Sequence, residues 1–131
     1  MSNSSVNQLL AGYADGDAIS QEARSLRKIL RRNGYRSDIY APSDCISDGV
    51  RDDCMVLEDY TDSESDILIY HYSIASEANL VFLNSTARRI VRYHNITPAD
   101  FFDGFDDDLA AQLRKASGEL AQVLSRADKV W

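Results

Sequence analysis

Two cysteines, two histidines, two prolines and one tryptophan in 131 residues leave several kinds of protein without material. Cys45 and Cys54 form no Cys-x-x-Cys pair and no zinc spacing, and two are too few for a disulfide framework. His71 and His94 stand alone, without the neighbours a zinc site needs, so no metal and no cofactor are expected. Basic residues are also scarce: 14 Lys and Arg face 21 Asp and Glu, a net charge of −7. A nucleic-acid partner is therefore not expected, because little here would displace counterions from a phosphate backbone. No apolar run is long enough for a membrane span or the core of a signal peptide. The cytoplasm is the expected compartment, and both thiols are expected free.

What is present suits one folded domain over residues 1–131, with residues 1–5 as a flexible lead-in. The composition, 44% hydrophobic and 27% charged, is that of an ordinary globular chain. Val6 to Ala11 reads as a first strand, and Gly12 to Asp17 as a glycine-bearing turn. Ile19, Ala23, Leu26 and Leu30 then recur at helical spacing. Asp17 or Ser20 can cap that helix, and Asn33-Gly34 stops it. Arg24, Arg27, Lys28, Arg31 and Arg32 fall largely between the apolar positions, which predicts a solvated basic face complementing the helix dipole.

Ser37 to Ala41 reads as a second strand, closed by Pro42. Residues 43–65 are rich in Asp and Ser, with a minor strand at Cys54 to Leu57. Asp66 to Tyr70 is the strongest strand signal, apolar without alternation, as expected when helices cover both faces of a parallel sheet. His71, Tyr72 and Ser73 end it. A short helix fits residues 76–85, followed by a strand from Arg88 to Tyr93. His94, Asn95 and Thr97 form a polar shelf after it, and Thr97-Pro98 opens a new helix. An aromatic turn (Phe101, Phe102, Phe105) leads to a last helix from Asp106, with a stripe of Leu109, Leu113, Ala116, Leu120 and Val123. Lys129 to Trp131 resembles the start of another strand.

Strands alternating with helices predict an α/β fold: a Rossmann-like three-layer sandwich around a mostly parallel sheet. Ligands of such sheets gather beyond the carboxyl ends of the strands. Three predicted strand exits are polar, at Gly12–Asp17, His71–Ser73 and His94–Thr97. If their strands are neighbours, all three meet at one rim. The exits carry no Gly-x-Gly-x-x-Gly dinucleotide signature, no Walker A loop and no Gly-x-Ser-x-Gly elbow.

Gly16-Asp17-Ala18-Ile19, Tyr70-His71-Tyr72-Ser73 and Arg92-Tyr93-His94-Asn95-Ile96-Thr97-Pro98, in that order and spacing, resemble the N-terminal domain of a family 4 (group 1) glycosyltransferase. The likeness runs from about Val6 to Trp131. It implies the acceptor-side half of a two-domain, GT-B enzyme that moves a sugar, with retention, from a nucleotide-sugar donor to an acceptor hydroxyl. His94 matches the family histidine beside the transferred sugar. Gly16 and Asp17 would lie in the loop approaching the donor phosphates and acceptor, and His71, Tyr72, Ser73, Asn95 and Thr97 would line the cleft. The acceptor would be a saccharide or a lipid-linked sugar, the latter allowing a peripheral contact at the inner face of the membrane. The family's donor-side domain, with its two glutamates seven residues apart, has no counterpart here, so the chain by itself is expected to be inactive. The alternative is a non-catalytic doubly wound module, receiver-like or flavodoxin-like, serving as an interaction surface.

Overall fold

The computed structural model describes residues 5–72, 76–93 and 126–130. Among these residues six strands form one sheet, every pair parallel: β1 (Val6–Leu10), β2 (Ile39–Ala41), β3 (Met55–Val56), β4 (Ile67–Tyr72), β5 (Arg88–Tyr93) and β6 (Lys129–Val130). Their order across the sheet is β3-β2-β1-β4-β5-β6. The chain winds outward from β1 to β3, returns to the far side of β1, and continues through β5 to β6. This is a Rossmann-like α/β fold, and its order reverses between β1 and β4.

Alternation along the strands divides the core into two layers. Leu9, Tyr40, Leu68, Tyr70, Tyr72 and Val91 pack with Ala78 and Phe82 of helix α2 (Ala78–Asn84). Leu10, Ile39 and Ala41 pack with Tyr13, Ile46 and Ala23, the last on helix α1 (Ala18–Arg32). Burying an aromatic such as Phe82, fully covered here, contributes roughly 1.5–3 kcal/mol. The two helices thus cover opposite faces, which is why Leu68, Ile69 and Tyr70 are all buried.

Helix α1 begins and ends by side-chain chemistry. Asp17 Oδ2 accepts from the Ser20 amide at 2.9 Å and from its hydroxyl at 2.8 Å, which satisfies a free donor of the first turn. At the other end Gly34 adopts φ +92°, the left-handed conformation that closes a helix, and its N–H reaches the Arg31 carbonyl at 3.1 Å.

The structure corrects the expectation for the basic residues of α1. The basic face of α1 is not simply solvated: Arg27 is 9% exposed, and its guanidinium donates to the Asp53 carbonyl at 2.7 Å and carboxylate at 2.6 Å. Arg24 donates to the Tyr13 hydroxyl at 3.0 Å, and Arg31 to the Ser37 carbonyl at 2.9 Å. Ser5 pairs with Arg36, and its N–H reaches Asp66 at 3.0 Å. The segment 43–59 is built from short 3-10 turns around β3, which falls within the minor strand expected at Cys54 to Leu57. The predicted aromatic turn and last helix lie outside the described residues.

Candidate functional site: the rim where the strand order reverses

Strands β1, β4 and β5 are neighbours and point the same way. Leu10 registers with His71, and Tyr72 with Tyr93, so the three chains leave the sheet side by side. The shared rim expected from the sequence exists for these strand ends. Of the residues assigned to it, His94, Asn95, Thr97 and Ser73 lie outside the described residues.

Beyond β1 the chain is held tightly. Tyr13 N–H donates to the Cys45 carbonyl at 3.0 Å, and Ser47 N–H to the Tyr13 carbonyl at 2.9 Å, which zips this turn to the segment after β2. Gly12 permits that approach: a Cβ there would sit 3.1 Å from the Cys45 carbonyl oxygen. Gly16 has a different task, since its φ of +80° turns the chain into α1, and a Cβ there would meet nothing within 4 Å. Between turn and helix lies a groove of about 320 Å³ lined by Ala11, Gly12, Tyr13, Ala14, Asp17, Ile19 and Cys45. Asp17 reaches its mouth as the helix cap. The Ser20 hydroxyl accepts from the Ala14 N–H at 3.1 Å and ties the turn to α1.

Behind this groove stands a polar lock. The buried Tyr13 hydroxyl donates to Asp53, which Arg27 also grips. Burial pushes the Asp53 carboxyl up, but the hydrogen bonds from Tyr13 and Arg27 and the nearby guanidinium charges outweigh it and hold the group below its usual range. Burial, then the facing Asp53, raises Tyr13. Cys45 also lies above its usual range, through burial and the neighbouring Asp44 carboxylate, so at neutral pH it is a thiol rather than a nucleophilic thiolate.

His71 and Tyr72 are placed differently from the expectation that they line a cleft. Both belong to β4, 1% and 0% exposed. Tyr72 faces the α2 layer and meets Tyr70 edge-to-face, with ring centroids 5.6 Å apart. His71 faces α1 and joins a row of polar side chains under the rim. Gln8 on β1 donates through Nε2 to the Ala23 carbonyl at 2.9 Å, and its Oε1 meets His71 Nε2 at 2.7 Å. Glu22 on α1 stands with Oε2 3.5 Å from His71 Nδ1, while Arg92 on β5 donates to Glu22 Oε1 at 3.1 Å. Gln8, Glu22, Arg92, Gly12, Tyr13 and Cys45 were not among the predicted site residues. Two of them had left a trace: Gln8 and Arg92 are polar residues inside predicted strands. Among the described residues no group of three or more His, Cys, Asp or Glu could hold a metal ion, and no helix is long and apolar enough to cross a membrane.

The fold defines a doubly wound, Rossmann-like domain whose strand order reverses between β1 and β4. No protein-family model matches the chain, and neither does any curated protein or solved structure.

Proposed function

We propose that this chain is the acceptor-side domain of a retaining glycosyltransferase, working with a donor-binding domain across the β1–β4–β5 rim. The observation that supports the reading most is the meeting of those three strand ends, because in the sequence the motifs resembling the family follow or overlap these strands. The turn after β1 brings backbone and the start of α1 to the groove, a setting suited to sugar hydroxyls and phosphate oxygens. His94, which follows β5 directly in the sequence, would position the transferred sugar or stabilise developing charge, while nearby backbone donors stabilise the leaving diphosphate. No residue is assigned as general base, since the leaving phosphate can take the acceptor proton. The enzyme would act in the cytoplasm, at its membrane face if the acceptor is lipid-linked.

The test is sugar transfer by the complete reading frame that contains these residues, supplied with a panel of nucleotide-diphosphate sugars and simple glycoside acceptors. Release of nucleotide diphosphate with a product of retained anomeric configuration is expected, and residues 1–131 alone should give none. Failure of the complete protein to consume any donor, or turnover by residues 1–131 alone, would overturn the proposal.

A further inference from the structure

Among the described residues that line the groove after β1, Asp17 alone carries a full charge, while Ala11, Ala14 and Ile19 make its walls apolar. The start of a helix ordinarily attracts anions, through free N–H groups and a dipole equivalent to about +0.5 charge. In α1 that place is taken by the protein's own carboxylate. Asp17 Oδ2 accepts from the Ser20 amide and hydroxyl, and its full negative charge outweighs the dipole. Its other oxygen, Oδ1, accepts from no described group and is open to an incoming donor. The guanidinium groups behind Tyr13 do not offset this charge. Arg24 lies 3.7 Å from Asp53 and 4.0 Å from Asp15, and Arg27 donates to Asp53, so those four groups balance one another. Asp44, which accepts from the Cys45 thiol at 3.7 Å, adds a second negative charge beside the groove.

We infer that the groove after β1 binds an uncharged, polyhydroxylated ring of the sugar class and turns away anions, with Asp17 setting that preference. The volume of about 320 Å³ stands near the lower end of small-ligand pockets, which run from about 300 to 1,000 Å³. The C–H face of such a ring rests on the apolar wall, and its hydroxyls donate to Asp17 Oδ1. A phosphate in the same place would face a carboxylate with no lining cation to compensate. Of the two chemistries suited to this turn, hydroxyl and phosphate, the groove takes the first, and donor phosphates lie elsewhere along the rim. That the bound ring takes part in sugar transfer rests on the reading proposed above; the charge preference does not.

Cys45, exposed on the groove, is the reporter. The whole chain is alkylated with neutral iodoacetamide or anionic iodoacetate, and the rates at Cys45 are read by mass spectrometry. Both reagents attack the same thiolate, so their ratio cancels its proton affinity and reports the charge around the groove. Relative to the urea-unfolded chain, wild type should favour the neutral reagent by about threefold, falling toward parity as salt rises. Asp17→Asn, which keeps the cap because Asn caps a helix as well as Asp does, should lower that ratio about twofold. An unchanged ratio in Asp17→Asn, or a wild-type ratio equal to that of the unfolded chain, overturns the preference. The salt series on wild type decides it if the variant does not fold. Methyl glucoside, galactoside and mannoside, and separately inorganic pyrophosphate, are then added as protectants of Cys45. Slower alkylation with at least one hexoside and none with pyrophosphate is expected; protection by pyrophosphate, or by none of the hexosides, overturns the inference. Hexoside protection in a protein that consumes no sugar donor would keep this inference and sink the transfer reading, whereas pyrophosphate protection would sink this inference alone.

Discussion

Asp53→Ala should be among the more costly substitutions of a half-exposed side chain in this protein. Its carboxylate accepts from Arg27 Nη2 at 2.6 Å and from the Tyr13 hydroxyl, and Arg24 Nε lies 3.7 Å away. A hydrogen bond to a charged group contributes roughly 1.5–3 kcal/mol, and two are lost. The Asp53 side chain is 44% exposed, so water screens part of this, whereas the Arg27 side chain is only 10% exposed and would keep its charge with one partner fewer. Together these give a loss of about 2 kcal/mol, or about 8 °C in Tm for a domain of this size. Urea unfolding of wild type, Asp53→Ala, Arg27→Met and the double variant would measure it. The double variant should cost about 1 kcal/mol less than the two single changes added, because they remove one shared interaction. A loss under about 0.5 kcal/mol for Asp53→Ala, or strict additivity, would refute the view that this lock anchors Tyr13 behind the groove.

Asp62 supports a different junction. Its carboxyl accepts from the Ser85 hydroxyl at 2.5 Å, the Thr86 N–H at 2.7 Å and the Thr86 hydroxyl at 2.6 Å. Burial raises it, but those bonds outweigh burial and bring it down to about 2 from 3.8. The resulting stability is present above the unfolded value and lost as pH falls through the folded one, between about pH 4 and pH 2. Because Asp62 is exposed, Asp62→Asn should cost no more than about 1 kcal/mol at neutral pH, shrinking toward zero near pH 2 in parallel urea titrations. Cys45, exposed at the groove, should be alkylated well before Cys54, whose thiol burial pushes up to about 12; mass spectrometry of a labelling time course would show the order, and equal rates would contradict it. Gly34→Ala, at φ +92°, should destabilise by about 1 kcal/mol in thermal unfolding, while Ala at Gly49, where nothing crowds a Cβ, should be close to neutral.

Strand β4 was legible in this sequence because a buried parallel strand reads as an unbroken apolar run, so Ile67–Tyr70 stood out. The α1 boundaries were legible too, since Asp17 and Asn33-Gly34 act locally. What stayed hidden depended on distant partners. Arg27 looks solvated until Asp53, 26 residues on, packs against it. His71 looks like a strand exit until Gln8, 63 residues earlier, and Glu22 supply buried partners that let the strand continue through it. Periodicity reports which face a residue takes, and it carries no information on which polar groups meet there. The strands β1, β4 and β5 do lie side by side, while His71 and Tyr72 sit buried within β4.

The most direct test of the central claim is the transfer rate of the complete protein carrying His94→Ala, beside a control such as Leu80→Ala on the exposed face of α2. The account predicts loss of most of the rate at His94 with folding intact, and a near wild-type rate for the control. An unchanged rate on His94→Ala would contradict it.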